Sequence, residues 1–190
     1  MRWLVLYARS RQVPASAAAV ALVALVVWAL NQDGPGPLSL GTAMLVLTAS
    51  VVAASVGFGG CDVVLERTAA IRWVPRRAGH VLLIGAFAAA ALLAVQAGGA
   101  RLVPTGVVVR DSAGLVGLAA LGAALCGARF AWTLPTGWLA FSLLVPTPGG
   151  TVGQVANWML FPPGAAASSG TAWALLATGT VVYALAGPRR

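Results

Sequence analysis

Long apolar stretches alternate with short polar gaps along this chain, and the lengths of the stretches predict the fold class. A helix needs about 20 apolar residues to cross the hydrocarbon core of a bilayer, with a range of about 17–25. Six stretches approach that length, although the fourth is uncharged only from Ala113 onward. They cover residues 13–30, 38–58, 80–97, 107–127, 130–145 and 171–186. We therefore predict a single all-α, polytopic transmembrane domain of about six helices over residues 1–190.

The gaps between the stretches differ in character. Only Ala128 and Arg129 separate the fourth stretch from the fifth, which predicts a tight antiparallel pair, and Pro135 predicts a kink near the start of the fifth helix. Residues 146–170 carry no charge, yet they place the run from Trp158 to Phe161 between Gly and Pro residues. This region is predicted to be an outer hairpin that dips into the membrane.

The composition supports lipid as the solvent. Hydrophobic residues make up 59% of the chain and charged residues only 8%, whereas a soluble domain keeps about a quarter of its residues charged. The formal net charge of +8 would suggest nucleic acid in a soluble protein. Here, however, all the basic residues are arginines that lie in short gaps, as the positive-inside rule predicts. We therefore expect contact with a lipid bilayer and no nucleic-acid partner.

The arginines also predict the orientation. With the N-terminus inside, ten of the 12 basic residues lie on the cytoplasmic side, and only Arg101 and Arg110 lie outside. Both termini are therefore expected in the cytoplasm. The absence of lysine beside so much Ala, Gly and Arg suggests a GC-rich bacterial genome, so the predicted location is the bacterial cytoplasmic (inner) membrane, with multiple passes.

The middles of the six stretches contain no ionisable side chain, which limits the chemistry that the chain can do. A proton-coupled transporter needs a titratable group near the membrane midplane, and a hydrolase needs a nucleophile with a base or carboxylates that hold a metal. The four acids are dispersed, with Asp33 and Asp111 on the opposite side from Asp62 and Glu66. The single His80 cannot build a metal site alone, and the two cysteines are expected to be free thiols. We expect no metal, no cofactor in this chain and no enzymatic activity of its own.

The gap at 59–79 is the most polar part of the chain. Read as a helix, its sequence DVVLERTAAIRW sets apolar side chains among Asp62, Glu66 and several arginines, so one side can rest against a surface while the charges face water or a partner. A short cytoplasmic helix of this kind can act as a lever between two spans. The alternative is an anchor on anionic lipid through Arg72, Arg76 and Arg77, at about 1 kcal/mol each.

An acidic position followed by LERTAA, a Pro with Arg and a new span resembles the cytoplasmic loop of type-2 ATP-binding-cassette permeases. Six spans with both ends inside, a basic stretch before the first span and an outer hairpin between the fifth and sixth agree with the resemblance. The stretch VVVRDSAGLVGLAALGAALCGARFAWTLPTGWLAF is also similar to actinobacterial permeases. The resemblance implies an ATPase-coupling loop, with the positions Asp62, Glu66, Arg67, Thr68, Arg72, Arg76 and Arg77. It also implies an outer gate, made by Trp158, Met159, Leu160, Phe161, Pro162 and Pro163.

The expected function is that of a membrane-spanning permease subunit of an ATP-driven exporter. Its partners would be an ATP-binding-cassette ATPase subunit, which would hold ATP and Mg, and a second copy of the chain or a paralogous permease. An apolar path dotted with Ser and Thr favours a hydrophobic or amphiphilic cargo such as a lipid, a peptide or a drug-like molecule. Two alternatives stay open: a non-transporting scaffold or immunity-type subunit that binds a partner through small-residue helix faces, and a membrane enzyme with an unrecognised site.

Overall fold

The computed structural model describes residues 13–30, 40–58, 73–98, 103–146 and 149–188. Within these ranges the chain forms helices and turns and no strand. The helices are α1 (Val13–Leu30), α2 (Leu40–Ser55), α3 (Trp73–Ala97), α4 (Thr105–Leu125), α5 (Thr133–Leu144), α6 (Gly150–Ala156) and α7 (Ala166–Ala186). Short 3-10 turns cover Val56–Phe58, Ala128–Phe130 and Trp158–Leu160. The all-α prediction is confirmed for this part of the chain.

Among the described residues, four helical segments are long and apolar enough to cross a membrane: Leu40–Phe58, α3, α4 and α7. Helix α5 has 12 residues, which at about 1.5 Å per residue gives roughly 18 Å, short of the ~30 Å hydrocarbon core. Helix α1 has 18 residues and carries no charge, so its length is near the lower limit for crossing a bilayer. The helix lengths are consistent with a membrane-embedded protein, whereas the count of six spans stays a prediction.

Helix α4 lies at the centre of the bundle. Helices α2, α3, α5 and α7 all pack against it, and it is buried without interruption from Arg110 to Ala120. A helix that is surrounded on all sides needs small residues wherever a neighbouring backbone comes close. The recurrence of Gly and Ala along α4 meets that need.

Helices α4 and α7 cross at Gly117 and Gly179. A β-carbon on Gly117 would collide with the backbone of Leu175 and Leu176, and a β-carbon on Gly179 would collide with the backbone of Gly117. Two helix backbones can approach this closely only where no side chain stands between them. These glycines therefore serve packing within the chain and fix the point at which the two helices cross.

The chain turns sharply between α4 and α5. Gly127 has a φ of 102°, a conformation that residues with side chains rarely adopt, and a β-carbon on Gly122 would lie only 2.9 Å from the carbonyl oxygen of Ala131. Helix α5 begins at Thr133, so Pro135 lies in its first turn, where the missing N–H costs no helical hydrogen bond. The fourth and fifth helices are packed together, but Pro135 marks a helix start and not the predicted kink.

Candidate functional site

Helix α4 buries a charged pair about one and a half turns from its Thr105 end. The Nε of Arg110 donates a hydrogen bond to Oδ1 of Asp111 over 2.7 Å, and the two side chains are 4% and 0% exposed. Desolvating two charges is costly, so a buried pair needs good geometry and further hydrogen bonds for its remaining donors and acceptors. Ionisable groups inside an apolar span are candidates for a functional site.

The rest of the Arg110 guanidinium binds the chain that precedes α7. Its Nη1 donates to the carbonyl oxygen of Pro162 over 3.1 Å, and its Nη2 donates to that of Phe161 over 3.0 Å. A guanidinium carries five N–H donors in a flat fork, so a single arginine can serve a carboxylate and two carbonyls together. Arg110 thereby joins α4 to residues 51 and 52 positions further along the chain.

Residues 149–165, which we call the hairpin, contain α6 and the turn Trp158–Leu160. Trp158 is fully buried, and its six-membered ring lies over Gly114, where a β-carbon would collide with the ring. A β-carbon on Gly106 would lie 3.5 Å from Cβ of Pro163. Residues 158–163 therefore run along α4 from Gly114 back towards Thr105. Gly114 is nine residues beyond Thr105, so the hairpin reaches roughly 13 Å into the bundle, nearly half of a ~30 Å hydrocarbon core.

Helices α5 and α7 hold the hairpin from the other sides. The Nε1 of Trp138 in α5 donates to the carbonyl oxygen of Ala156 over 3.0 Å. In the first turn of α7, Oγ of Ser168 donates to the carbonyl oxygen of Trp158 over 2.7 Å. Backbone carbonyls of the hairpin thus find side-chain donors on three different helices, which satisfies polar groups that a non-helical segment would otherwise leave exposed to lipid.

Several polar atoms around the hairpin have no hydrogen-bond partner among the described residues. They are Oδ2 of Asp111, Oγ of Ser112, both amide atoms of Asn157 and Nε1 of Trp158. All four side chains are at most 1% exposed. A buried polar atom without a partner costs about 1–3 kcal/mol, so the contact between hairpin and bundle is incompletely satisfied.

A groove of about 230 Å³ lies beside this region, between α3, α4 and α7. Its walls include Leu82, Ala89, Val116 and Trp173, and the hydroxyl of Ser112 is one of the few polar groups on it. All three helices are apolar and long enough to cross a membrane. The groove therefore offers an apolar surface between three helices that are candidates for crossing a membrane.

At the opposite end of the bundle, three helix ends meet at Phe58. The hydroxyl of Tyr183 donates to the carbonyl oxygen of Phe58 over 3.1 Å. The Phe58 ring meets the Tyr183 ring edge-on at a centroid distance of 5.0 Å, and the His80 ring at 6.1 Å. The Nε2 of His80 lies 2.8 Å from the carbonyl oxygen of Gly57, which can only accept. The end of α2, the start of α3 and the end of α7 are therefore connected.

Arg77 of α3 adds a further contact to this connection. The Nη1 of Arg77 reaches the carbonyl oxygen of Ala184 over 3.5 Å, in the last turn of α7, where the helix dipole favours a cation. The guanidinium lies close to Gly187, whose φ of 71° and lack of a side chain make room for it. Arg76 stacks over the ring of Trp73 at 5.9 Å.

We expect Tyr183→Phe to lower the free energy of unfolding by about 1–2 kcal/mol, because the carbonyl of Phe58 loses its donor while the ring packing is kept. Unfolding in detergent micelles would measure the loss. Trp173→Phe, which changes an exposed aromatic residue on the same helix, is the control and should have little effect. Equal stability of Tyr183→Phe and the native protein would contradict the importance of this hydrogen bond.

The two predicted sites differ in how much of each the structure describes. Of the ATPase-coupling positions, five lie outside the described residues: Asp62, Glu66, Arg67, Thr68 and Arg72. The other two, Arg76 and Arg77, lie in α3. The six outer-gate positions all lie in the hairpin. Trp158 and Met159 are fully buried, Leu160 and Phe161 are half-buried, and Pro162 and Pro163 are exposed.

The charged pair that holds the hairpin was not among the predicted site residues. The arginine distribution predicts Arg110 on the outer side and no ionisable group in the middle of a span, whereas α4 covers Thr105–Leu125 and includes both residues of the pair. The available signal was the sequence VVVRDSAGL, in which two adjacent opposite charges follow three valines and lead directly into a long stretch of small residues. Adjacent opposite charges can enter a span because each offsets the charge of the other.

Comparisons with protein-family models, with curated proteins and with solved structures find no match to this chain. In the ranges that the structure describes, no three His, Cys, Asp or Glu side chains lie together as a metal site would require. What the site does offer is a hairpin that one guanidinium holds against the central helix.

Proposed function

We propose that this chain is the membrane-spanning permease subunit of an ATP-driven exporter of the ATP-binding-cassette type. The observation that carries the proposal is the hairpin between α5 and α7, which enters the bundle as far as Gly114 and covers the end of the central helix. A segment in that position can open or close a path along α4. The resemblance in the sequence implies an outer gate at the same residues, Trp158 to Pro163.

In the proposed arrangement the Thr105 end of α4 faces outwards, six segments cross the bacterial cytoplasmic membrane, and both termini lie in the cytoplasm. The gap at 59–79 then lies inside and docks on the ATPase subunit, which binds ATP and Mg. A second copy of the chain or a paralogue completes the permease. The arginine distribution supports this orientation.

The contacts around Phe58 support a route for mechanical force from the cytoplasmic side. Residues 59–72 of the gap connect the turn that follows α2 to α3, and these two elements are joined through His80 and Gly57. Both are joined to the end of α7 through Tyr183 and Arg77. A push on the loop would therefore move three helices together, and α7 leads directly to the hairpin.

The cargo of the proposed exporter is hydrophobic or amphiphilic. The groove between α3, α4 and α7 supports this assignment, because nearly all of its lining side chains are apolar. A hydrocarbon chain can enter such a groove from the bilayer without being exposed to water.

The buried Asp111 raises a competing function, since a carboxylate inside a span can carry protons in a gradient-driven transporter. The geometry favours a positioning role. The Oδ1 of Asp111 accepts from Arg110, and the other bonds of that guanidinium go to backbone carbonyls of the hairpin. Proton-driven movement of solute by this chain alone in liposomes would support the competing function and overturn the ATP-driven one.

The decisive experiment purifies the tagged protein from its native membrane and measures ATP hydrolysis in the eluate. We expect an ATPase subunit to co-purify, and the double charge reversal Glu66→Arg/Arg67→Glu to remove at least about 90% of the bound hydrolysis, because the docking surface would then present the wrong charges to its partner. Arg129→Glu is the matched control. It changes an exposed arginine on the same predicted side, outside the coupling loop, and should leave the ATPase bound.

Two outcomes would contradict the proposal. In the first, the protein purified from native membrane shows no ATP hydrolysis, so the proposed energy source is absent. If a stable partner without hydrolytic activity co-purifies in that case, the scaffold or immunity-type alternative is favoured. Equal loss of ATPase in Arg129→Glu and in the double reversal would show that the gap at 59–79 is not the specific docking surface.

A further inference from the structure

The hairpin is bound to α5 by the hydrogen bond from Trp138, and it is also bound to α7 and to α4, in two different ways. On the α7 side, the chain itself continues from the hairpin into the helix. Two hydroxyls of the first turn add hydrogen bonds to hairpin carbonyls: Ser168 to Trp158 over 2.7 Å and Ser169 to Pro163 over 3.3 Å. The hairpin and the first turn of α7 therefore form one connected unit.

On the α4 side, the hydrogen bonds come from a single side chain. Both are donated by Arg110, to Phe161 and Pro162. The remaining contacts are van der Waals contacts, in which the Trp158 ring covers Gly114 and Pro163 lies beside Gly106. Such contacts can be broken without leaving a hydrogen-bonding group unpaired, so the bonds of Arg110 decide how firmly this side is closed.

The closed contact is also less stable than its burial suggests. Both amide atoms of Asn157 and Nε1 of Trp158 are buried without a partner among the described residues. If the hairpin leaves the bundle, these atoms can bind water, and the cost of burying them is recovered. The closed and open positions are therefore closer in free energy than a fully satisfied contact would allow.

We infer that Arg110 is the latch of the hairpin: oriented by Asp111, it holds the hairpin against α4. When these hydrogen bonds of Arg110 break, the hairpin parts from α4 while it stays attached to the first turn of α7. That this motion gates cargo rests on the proposed function, whereas the latch itself rests on the contacts of Arg110. Arg110 is a positioning residue in this scheme. Its ion pair with Asp111 keeps the guanidinium aimed at the two carbonyls in the absence of any cargo.

Arginine is required because of its shape. Nε, Nη1 and Nη2 each serve a different oxygen, and the flat fork fixes their directions relative to one another. A lysine at the same position keeps the positive charge beside Asp111 but has one nitrogen to share among three acceptors. Arg110→Lys therefore weakens the latch without leaving Asp111 as an unpaired charge.

The test measures how often the hairpin opens. In a background with Cys61→Ala and Cys126→Ala, a single reporter cysteine replaces Met159, which is fully buried in the turn next to Trp158. The rate of its reaction with a water-soluble maleimide in lipid nanodiscs is proportional to the open fraction. We expect Arg110→Lys to raise this rate about tenfold, which corresponds to about 1.4 kcal/mol, and Arg110→Gln to raise it at least as much.

The control reporter replaces Ala123, which is equally buried in α4 beyond the crossing with α7. Its rate should change less than about twofold in either Arg110 variant, because a local latch does not loosen the whole bundle. Unchanged labelling at position 159 in both variants would overturn the latch. An equal rise at positions 159 and 123 would also overturn it, because Arg110 would then support the fold as a whole.

A cross-link gives a second measurement at the same contact. Gly106→Cys/Pro163→Cys brings two β-carbons to about the 3.5 Å found in disulfides, and it bridges the surface that should part. Gly85→Cys/Val116→Cys has the same β-carbon distance of 3.5 Å and joins α3 to α4 instead. We expect Arg110→Lys to slow oxidation of the first pair only. Slowing of both pairs, or of neither, would contradict the latch.

These measurements need no ATPase, so they separate the latch from the proposed function. A reporter that responds to Arg110 while no ATPase co-purifies would keep the latch and remove the exporter. Co-purification of an ATPase, together with unchanged labelling at position 159 in the Arg110 variants, would keep the exporter and overturn the latch.

Discussion

Gly179→Ala is expected to destabilise the helix bundle by about 3 kcal/mol, although it adds only one methyl group. The added β-carbon would overlap the backbone of Gly117 on α4. A flexible side chain could move aside, but a helix backbone cannot, so α4 and α7 must separate along much of their contact. Overpacking usually costs about 1–3 kcal/mol, and a backbone obstacle belongs at the upper end of that range.

Gly170→Ala is the matched control, because it makes the same change on the same helix. A β-carbon at position 170 meets nothing within 4 Å. Since alanine favours helix over glycine by about 0.5–1 kcal/mol, this variant should be slightly more stable than the native protein. Unfolding in detergent micelles would compare the two. A similar stability for both variants would mean that the crossing at Gly117 and Gly179 is not close-packed.

The long helices could be predicted from the sequence because an apolar stretch is a local signal, whereas the short α6 was not predicted. Residues 13–30 of the first stretch are helical throughout, as are residues 80–97 of the third. Helix α3 extends beyond the predicted apolar stretch, because polar residues can continue a helix. Residues 73–79, which lie in the predicted polar gap, belong to α3, and Arg77 in this segment binds the last turn of α7.

The candidate site could be predicted only in part. The hairpin left a signal, an uncharged segment between Gly and Pro residues, and Trp158 to Pro163 do lie against the central helix. Arg110 left no comparable signal, because its partners are the carbonyl oxygens of Phe161 and Pro162. Every residue carries a carbonyl, so no feature of the sequence reveals which of them an arginine will bind. A rule that assigns charges to loops therefore misplaces an arginine whose partners are brought to it by the fold.

This assignment of Arg110 predicts a large effect at its neighbour. Asp111→Leu is expected to lower the free energy of unfolding by about 3–5 kcal/mol, because it leaves the guanidinium of Arg110 buried without a counter-charge. Asn157→Leu, which also removes a buried polar side chain, is the control. Its amide atoms have no partner among the described residues, so that change should be neutral or stabilising in the same unfolding measurement.

The double variant Arg110→Met/Asp111→Leu separates two effects. One is the cost of a buried unpaired charge, and the other is the loss of the hydrogen bonds from Arg110 to the hairpin. Replacing both members of a buried pair by apolar residues is often neutral or stabilising, so the double variant should regain most of the stability that Asp111→Leu loses. The carbonyls of Phe161 and Pro162 would still lack their donor, and labelling of a cysteine at position 159 should stay raised in the double variant. Recovery of stability together with restored protection at position 159 would show that apolar packing alone closes the hairpin, and it would remove Arg110 from that role.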